Sequence, residues 1–175
     1  QVNYHFGGKR GLFVEVIARR AGALNERRLK ALERLEKNTA PGDVPTIEEI
    51  AECFIRAPLE LSLDGGRGWR AYARLIAQLY NTDRWMDVLT AEFNDVANIY
   101  VAAIARALPA CKRRDVGYGY QFLLGALMIT FAETGRIRRL SKGGAQGRAK
   151  AENLDRICRR MTAFVAAGFR GLAAD

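Results

Sequence analysis

Residues 2–13 read VNYHFGGKRGLF, a short aromatic run, a glycine turn and then a basic segment that opens a long helix. Such a pattern is typical of a joint between two helical pieces. Gly7 and Gly8 can adopt the positive φ that ends one helix, and Lys9 lies at the start of the next. Because the free amides of a helix N-terminus attract anions, these amides and the Lys9 ammonium together could hold one. We therefore expect an anion contact at this joint.

The joint resembles the end of the recognition helix and the first turn of the following helix in TetR-family transcriptional repressors. The family pattern runs Leu-Tyr-x-His-Phe, two small residues, Lys, an acidic residue and Leu. In this chain Val2 lies at the Leu position and Tyr4 at the variable position. His5 and Phe6 match the His-Phe pair, and Lys9 matches the Lys. The resemblance covers about a dozen residues and implies that the bound anion is a DNA phosphate.

Two positions depart from the family pattern. Asn3 replaces the usual Tyr, so the resemblance does not imply the phosphate contact of that Tyr, and Arg10 replaces the usual acidic residue, which adds a positive charge. The resemblance implies that His5 and Lys9 contact the DNA backbone and that Tyr4 lies near the groove. An alternative is that the aromatic residues only fill the joint between two helices. The DNA-binding residues implied by the resemblance are Asn3, Tyr4, His5 and Lys9.

The composition favours one large, basic, globular domain. The chain has 175 residues, of which 49% are hydrophobic and 27% charged, and this length allows a sizeable core. Its 28 basic and 19 acidic residues give a net charge of +9, which favours a polyanionic partner, although a merely basic surface is the alternative. No apolar run approaches the roughly 18 residues of a membrane span. We expect a soluble, cytoplasmic protein that does not bind membranes.

The chain begins at Gln1 without an initiator Met or a signal-peptide pattern, so we expect the sequence to start inside a longer protein. The resemblance implies two parts. Residues 1–10 would be the C-terminal remnant of a helix-turn-helix DNA-binding domain. Residues 11–175 would be a ligand-binding and dimerisation domain.

Hydrophobic periodicity predicts an all-α helical bundle, since no segment alternates with the period of two that strands require. Thr46 and Glu49 have the spacing of a capping box, which marks a helix start. Pro58 should kink or end that helix, because the proline ring removes a backbone donor. The apolar stripes fall at residues 12–36, 47–55, 69–80, 85–108, 122–132 and 154–172.

Residues suited to catalysis or metal binding are scarce. His5 is the only histidine, and Cys53, Cys111 and Cys158 are widely spaced without a C-x-x-C pair. A zinc site or a Cys-His nucleophile is therefore not expected. We expect reduced thiols, two of them packed as small apolar groups, with no cofactor and no enzymatic activity.

Aromatic side chains with polar tips are concentrated on the middle helices, which suits a mostly apolar ligand pocket. Asn94 and Asn98 lie four residues apart beside an apolar stripe, and buried amides need partners. The alternative is that the aromatic residues form plain core. In TetR-family proteins these helices enclose an inducer pocket, so the resemblance implies a small apolar or amphipathic inducer. The predicted ligand-binding residues are Trp69, Tyr72, Phe93, Asn94, Asn98, Tyr100 and Phe122.

Residues 122–132 carry no charge and are apolar on opposite sides of the predicted helix. A helix that is apolar all round is buried on both sides, so we expect a partner chain to cover the side away from the core. The resemblance implies a homodimer in which the last two long helices pair with their counterparts. The predicted interface residues are Leu127, Phe131, Ile157, Met161, Phe164 and Val165.

Two hypotheses about function follow. The first is a transcriptional repressor that binds a double-stranded DNA operator as a homodimer and is released by a small inducer. It needs a complete helix-turn-helix domain, and therefore residues that precede Gln1. The second is a helical carrier or scaffold that does not bind DNA, in which the basic surface serves an acidic, lipid-like ligand.

Overall fold

A computed structural model of the protein describes residues 8–132 and 151–174. Within these ranges the chain forms six α-helices and one short 3-10 turn at Asp83–Trp85, without a strand, which confirms the predicted all-α bundle. The helices are α1 Lys9–Asn38, α2 Ile47–Asp64, α3 Arg67–Leu79, α4 Met86–Ala107, α5 Arg113–Phe131 and α6 Ala151–Ala173.

Helix starts follow local chemistry that the sequence contains. Gly8 precedes α1 with a φ of 96°, and Gly66 precedes α3 with a φ of 86°. The capping box at Thr46 is present: the Glu49 amide donates to the Thr46 hydroxyl at 3.3 Å, and the Thr46 amide donates to the Glu49 carboxylate at 2.8 Å. These contacts satisfy amides that the first turn of a helix leaves unpaired.

Helix α2 is the centre of the bundle and packs against α1, α3, α4 and α6. It does not end at Pro58, as the sequence allowed, but continues to Asp64. Pro58 has no N–H, so the carbonyl of Phe54 loses its helical donor. The Arg28 side chain of α1 supplies a donor to that carbonyl instead.

The buried side chains form two clusters on either side of this helix. The larger one joins α2, α4, α5 and α6 around Phe54, Tyr100 and Phe169. The smaller one joins α1, α3 and the start of α4 around Ile17 and Tyr72. Helix α1 contributes to both clusters, and Arg28 lies between its contributions to the two.

Three predicted interface residues belong to the core of the chain itself. Leu127 is 0% exposed, and Phe131 and Val165 are also buried. They lie on the inner sides of α5 and α6, which pack against each other and against the rest of the bundle. Because these side chains are already covered, the prediction that they form the interface is corrected.

The three cysteine side chains differ in burial. Cys111 and Cys158 are buried and Cys53 is half-buried, and none of the three is disulfide-bonded. Burial raises the pKa of the Cys53 thiol to about 11, which keeps it protonated near neutral pH.

The described residues contain no helix that is long and apolar enough to cross a membrane. They also contain no group of three His, Cys, Asp or Glu side chains placed to hold a metal ion.

The contact between α5 and α6 depends on a glycine. Gly119 is buried on α5, and a Cβ atom placed there would overlap the ring of Phe169 on α6. Phe169 is itself buried in the larger cluster. The missing side chain therefore lets the two helices approach closely.

We predict that Gly119→Ala lowers the free energy of unfolding by about 1–3 kcal/mol, because overpacking forces a core ring off its position. Gly117→Ala is the matched control on the same helix, where a Cβ atom meets nothing within 4 Å. That control should be neutral or gain up to about 1 kcal/mol from the better helix propensity of Ala. Urea unfolding measures both, and equal stability of the two variants would contradict the packing described here.

Candidate ligand-binding cavity

A cavity of about 40 Å³ lies between the two buried clusters, enclosed by α1, α2, α3, α4 and α5. Its walls are mostly aliphatic and aromatic. The aliphatic lining residues include Leu24, Leu61, Ile76, Leu124 and Met128. The aromatic lining residues are Trp69, Tyr72, Tyr80, Phe93, Tyr120 and Phe131. Apolar walls with a few polar groups are the usual composition of a small-molecule site.

The structure brings together three of the residues predicted to bind a ligand. Trp69, Tyr72 and Phe93 line the cavity. Trp69 and Tyr72 are adjacent on α3, with ring centroids 5.7 Å apart in an edge-on arrangement. Phe93 is buried on α4 and also lines the cavity.

The other predicted ligand residues lie elsewhere. Asn94 and Asn98 are exposed on α4, because each is rotated away from the buried stripe that contains Phe93 and Tyr100. Tyr100 is buried and donates a hydrogen bond to the main chain of α1. Phe122 is 62% exposed on the outer side of α5. None of these four residues lines the cavity.

The charged group in the cavity wall is Arg28, which is only 5% exposed. Arg28 is not among the ligand-binding residues predicted from the sequence, because α1 carries many basic residues on its outer face. A positional signal was present, however. Arg28 lies four residues after Leu24 and four before Leu32, on the buried stripe of α1. An arginine on an apolar stripe is the feature that could have revealed it.

Three contacts fix Arg28 in place. Its Nε donates to the carbonyl of Phe54 at 3.3 Å, the carbonyl left without a helical donor by Pro58. Its guanidinium lies over the Phe54 ring, 3.7 Å from the centroid, which is a cation–π geometry. The hydroxyl of Tyr100 donates to the Arg28 carbonyl at 2.8 Å. Both the side chain and the main chain of Arg28 are therefore held.

The electrostatic surroundings of Arg28 differ from those of an ordinary paired arginine. Burial lowers the pKa of Arg28, although an arginine stays protonated at physiological pH. The phenols of Tyr120, Tyr100, Tyr80 and Tyr72 oppose that shift. Burial also raises the pKa of all four phenols, so they are neutral hydroxyl groups near pH 7.

Arg56 provides the contrast within the same chain. Its guanidinium bonds Asp155 at 2.8 Å and Glu52 at 2.7 Å, and these bonds raise the pKa of Arg56. Arg28, in comparison, forms no ion pair with any carboxylate among the described residues. The cavity wall thus carries a positive charge that those residues do not neutralise.

The chain also matches a known protein family. A family model described as "Tetracyclin repressor-like, C-terminal domain" matches residues 52–168. The chain belongs to this family. No curated protein matches the chain. The match confirms the resemblance drawn from the sequence and indicates a transcription regulator with a ligand-binding helical domain.

The tetracycline repressor-like match begins within α2. It includes Pro58 and the aromatic residues of α3, α4 and α5 that line the cavity. Arg28 lies on α1, upstream of the matched residues. The charge in the cavity wall is therefore contributed by a part of the chain that lies outside the family match.

The outer faces of α5 and α6 expose large apolar side chains. Tyr118, Phe122 and Ile129 on α5 are 52%, 62% and 63% exposed, and Phe164 on α6 is 73% exposed. The rings of Tyr118 and Phe122 stack with centroids 6.3 Å apart. Of the predicted interface residues, Phe164 lies on this outer face, and Ile157 and Met161 are half-buried.

Lys9 is exposed in the first turn of α1. The neighbouring Arg10 forms an ion pair with Asp87 at 3.1 Å and lies over the ring of Trp85, so its charge is partly used within the chain. Asn3, Tyr4 and His5, the other predicted DNA-binding residues, lie outside the described residues.

Proposed function

We propose that the protein is a transcriptional repressor that binds a DNA operator as a homodimer and is released when a small molecule occupies the cavity. Family membership supports the regulatory role. The observation that carries the proposal is the continuity of α1, which runs without a break from Lys9 to Asn38. With a rise of about 1.5 Å per residue, one rigid element spans the roughly 28 Å between Lys9 at the joint and Arg28 in the cavity wall.

The mechanism requires two arrangements of α1 with different affinities for DNA. A ligand shifts such an equilibrium only by the difference between its affinities for the two states. A ligand in the cavity contacts α1 at Leu24 and Arg28, and Arg28 is the charged one of the two. The Arg10–Asp87 ion pair and the contact between Phe13 and Trp85, 4.4 Å between centroids, tie the start of α1 to the start of α4. Movement at the cavity would therefore reach the joint through α1 and α4.

The size of this cavity argues against its use as the site of an acidic lipid. Pockets for drug-sized ligands are roughly 300–1,000 Å³, whereas this cavity is about 40 Å³. A long acyl chain would need its walls to separate. A compact inducer requires much less rearrangement.

The homodimer is proposed from the exposed apolar face formed by Tyr118, Phe122, Ile129 and Phe164. Burying one such side chain contributes roughly 1.5–3 kcal/mol. Since α5 and α6 pack side by side, a second copy related by two-fold symmetry would place four helices together. Two-fold symmetry in the protein then matches a pseudo-palindromic operator.

For the dimer, we predict that Phe164→Asp gives monomers that stay folded, because Phe164 is exposed and its replacement leaves the core intact. Val16→Asp is the control, since Val16 is an apolar residue of α1 with 44% exposure and lies outside the proposed interface. Size-exclusion chromatography with light scattering should show a monomer for the first variant and a dimer for the second. A dimer of unchanged stability from Phe164→Asp would exclude this face as the interface.

For DNA, we predict sequence-specific binding by the protein with any residues that its gene places before Gln1. The probe is a duplex that this protein selects from a random-sequence library, compared with its scrambled version by fluorescence anisotropy at several salt concentrations. Lys9→Ala should weaken binding to both duplexes equally and reduce the slope of log K against log salt by about 1.

Lys37→Ala is the control for that titration, because Lys37 is an exposed lysine at the far end of α1 and pairs with Glu33. This variant should leave the salt slope unchanged. Equal affinities for the selected and scrambled duplexes would favour the carrier or scaffold function instead.

A further inference from the structure

The hydrogen-bond donors of Arg28 are only partly used. A guanidinium has five N–H donors in a planar fork. Within the part of the chain that the structure describes, only the Nε donor of Arg28 has an acceptor, the Phe54 carbonyl at 3.3 Å. The terminal nitrogens Nη1 and Nη2 form no hydrogen bond there. Since Arg28 lines the cavity, a molecule inside it can reach these unused donors.

The cavity lining contains no residue that could balance the charge. It includes no Asp or Glu, and the hydroxyl of Ser62 donates to the Leu59 carbonyl at 2.9 Å. The tyrosines in the wall are neutral. A buried charge without a partner is costly, and so an anion that enters the cavity gains a partner that the described residues do not supply.

The chemistry of the guanidinium favours a carboxylate. Its central carbon lies over the Phe54 ring, 3.7 Å from the centroid. The N–H groups of a guanidinium form a planar fork, from which a carboxylate accepts two parallel hydrogen bonds. A single guanidinium balances one negative charge, so a monoanion matches the site better than a phosphate dianion does.

The volume of the cavity and its other lining residues determine which shapes of ligand it can accept beside the anionic group. At about 40 Å³ it is small. Its walls include the rings of Trp69, Tyr72, Phe93 and Tyr120, which offer edge-on and stacked contacts to another ring. A dry cavity that holds benzene has about 150 Å³, so a ring enters this one only when its walls move apart, and a compact, flat, apolar group requires less of that movement than a flexible chain does.

We propose that the ligand of the cavity is a small aromatic monocarboxylic acid whose carboxylate pairs with the Nη1 and Nη2 groups of Arg28. This proposal rests on the proposed ligand-binding function and specifies the chemical class of the inducer. Arg28 is the residue that distinguishes an acid from its neutral counterpart. The aromatic wall binds the ring of either one.

The test compares benzoate, phenylacetate and 3-phenylpropionate with their three amides, by isothermal titration calorimetry on the unmodified protein. Each pair has the same ring and nearly the same shape and differs in charge. We expect at least one acid to bind at least tenfold more tightly than its amide. Amides that bind as tightly as the acids, or more tightly, would overturn the proposal while leaving the cavity a ligand site.

Two variants test whether Arg28 causes the preference for the acid over the amide. Arg28→Gln removes the charge but keeps a donor that can reach toward the Phe54 carbonyl, and should reduce the acid-to-amide ratio to less than threefold. Arg56→Gln is the matched control, because Arg56 pairs with Glu52 and Asp155 outside the cavity and should leave the ratio unchanged. A ratio that survives Arg28→Gln in a folded protein would overturn the assignment to Arg28. If Arg28→Gln does not fold, the ratio in the unmodified protein decides the result.

The ligand and DNA measurements together distinguish a failure of the acid proposal from a failure of the proposed repressor function. If none of the six compounds binds and the protein still discriminates between the selected and scrambled duplexes, the acid proposal fails and DNA regulation stands. If an acid binds with the expected preference but the protein does not discriminate between the duplexes, the acid site stands and the repressor proposal fails.

Discussion

The hydrogen bond from the Arg28 Nε to the Phe54 carbonyl joins the central helix to the helix that leads from the N-terminal joint. Pro58 leaves this carbonyl without a helical donor, because a proline has no N–H to give. A buried carbonyl without a donor costs about 1–3 kcal/mol, so α2 passes through Pro58 with the help of α1. The same bond, together with the Phe54 ring, holds a guanidinium in an apolar wall. The Phe54 carbonyl, which Pro58 leaves without a helical donor, thus accounts for two features. Helix α2 continues past Pro58 because Arg28 supplies a donor, and the same contact holds a charged side chain in the cavity wall.

This arrangement gives α1 two roles. Lys9 lies at its first turn, and Arg28 lies in the wall of the cavity. If a ligand and DNA prefer different positions of α1, each must weaken the binding of the other by the same factor. The ion pair between Arg10 and Asp87 connects the start of α1 to the start of α4.

Helix positions could be predicted from the sequence because burial imposes a period of 3.6 residues on apolar side chains, and the Thr46 capping box identified one start. The side of a helix that faces the core was harder to predict. Leu127 and Phe122 are equally apolar, and only the packing of α5 on α6 shows that Leu127 is internal. The cavity charge was missed for a related reason: the partner of Arg28 is a carbonyl on another helix, and no sequence pattern records that contact. Asn94 lies one position from buried Phe93, and this rotation alone places it outside the cavity.

The most direct test of this account is hydrogen exchange of the Arg28 Nε–H, measured by NMR on protein labelled with ¹⁵N-arginine and assigned with an Arg28→Lys variant. If this N–H is the donor that replaces the one missing at Pro58, its exchange should be much slower than that of the exposed arginines. Pro58→Ala should accelerate the exchange, because a backbone N–H at position 58 then competes for the Phe54 carbonyl. Exchange of Arg28 as fast as that of an exposed arginine would show that the bond does not persist and would contradict the account.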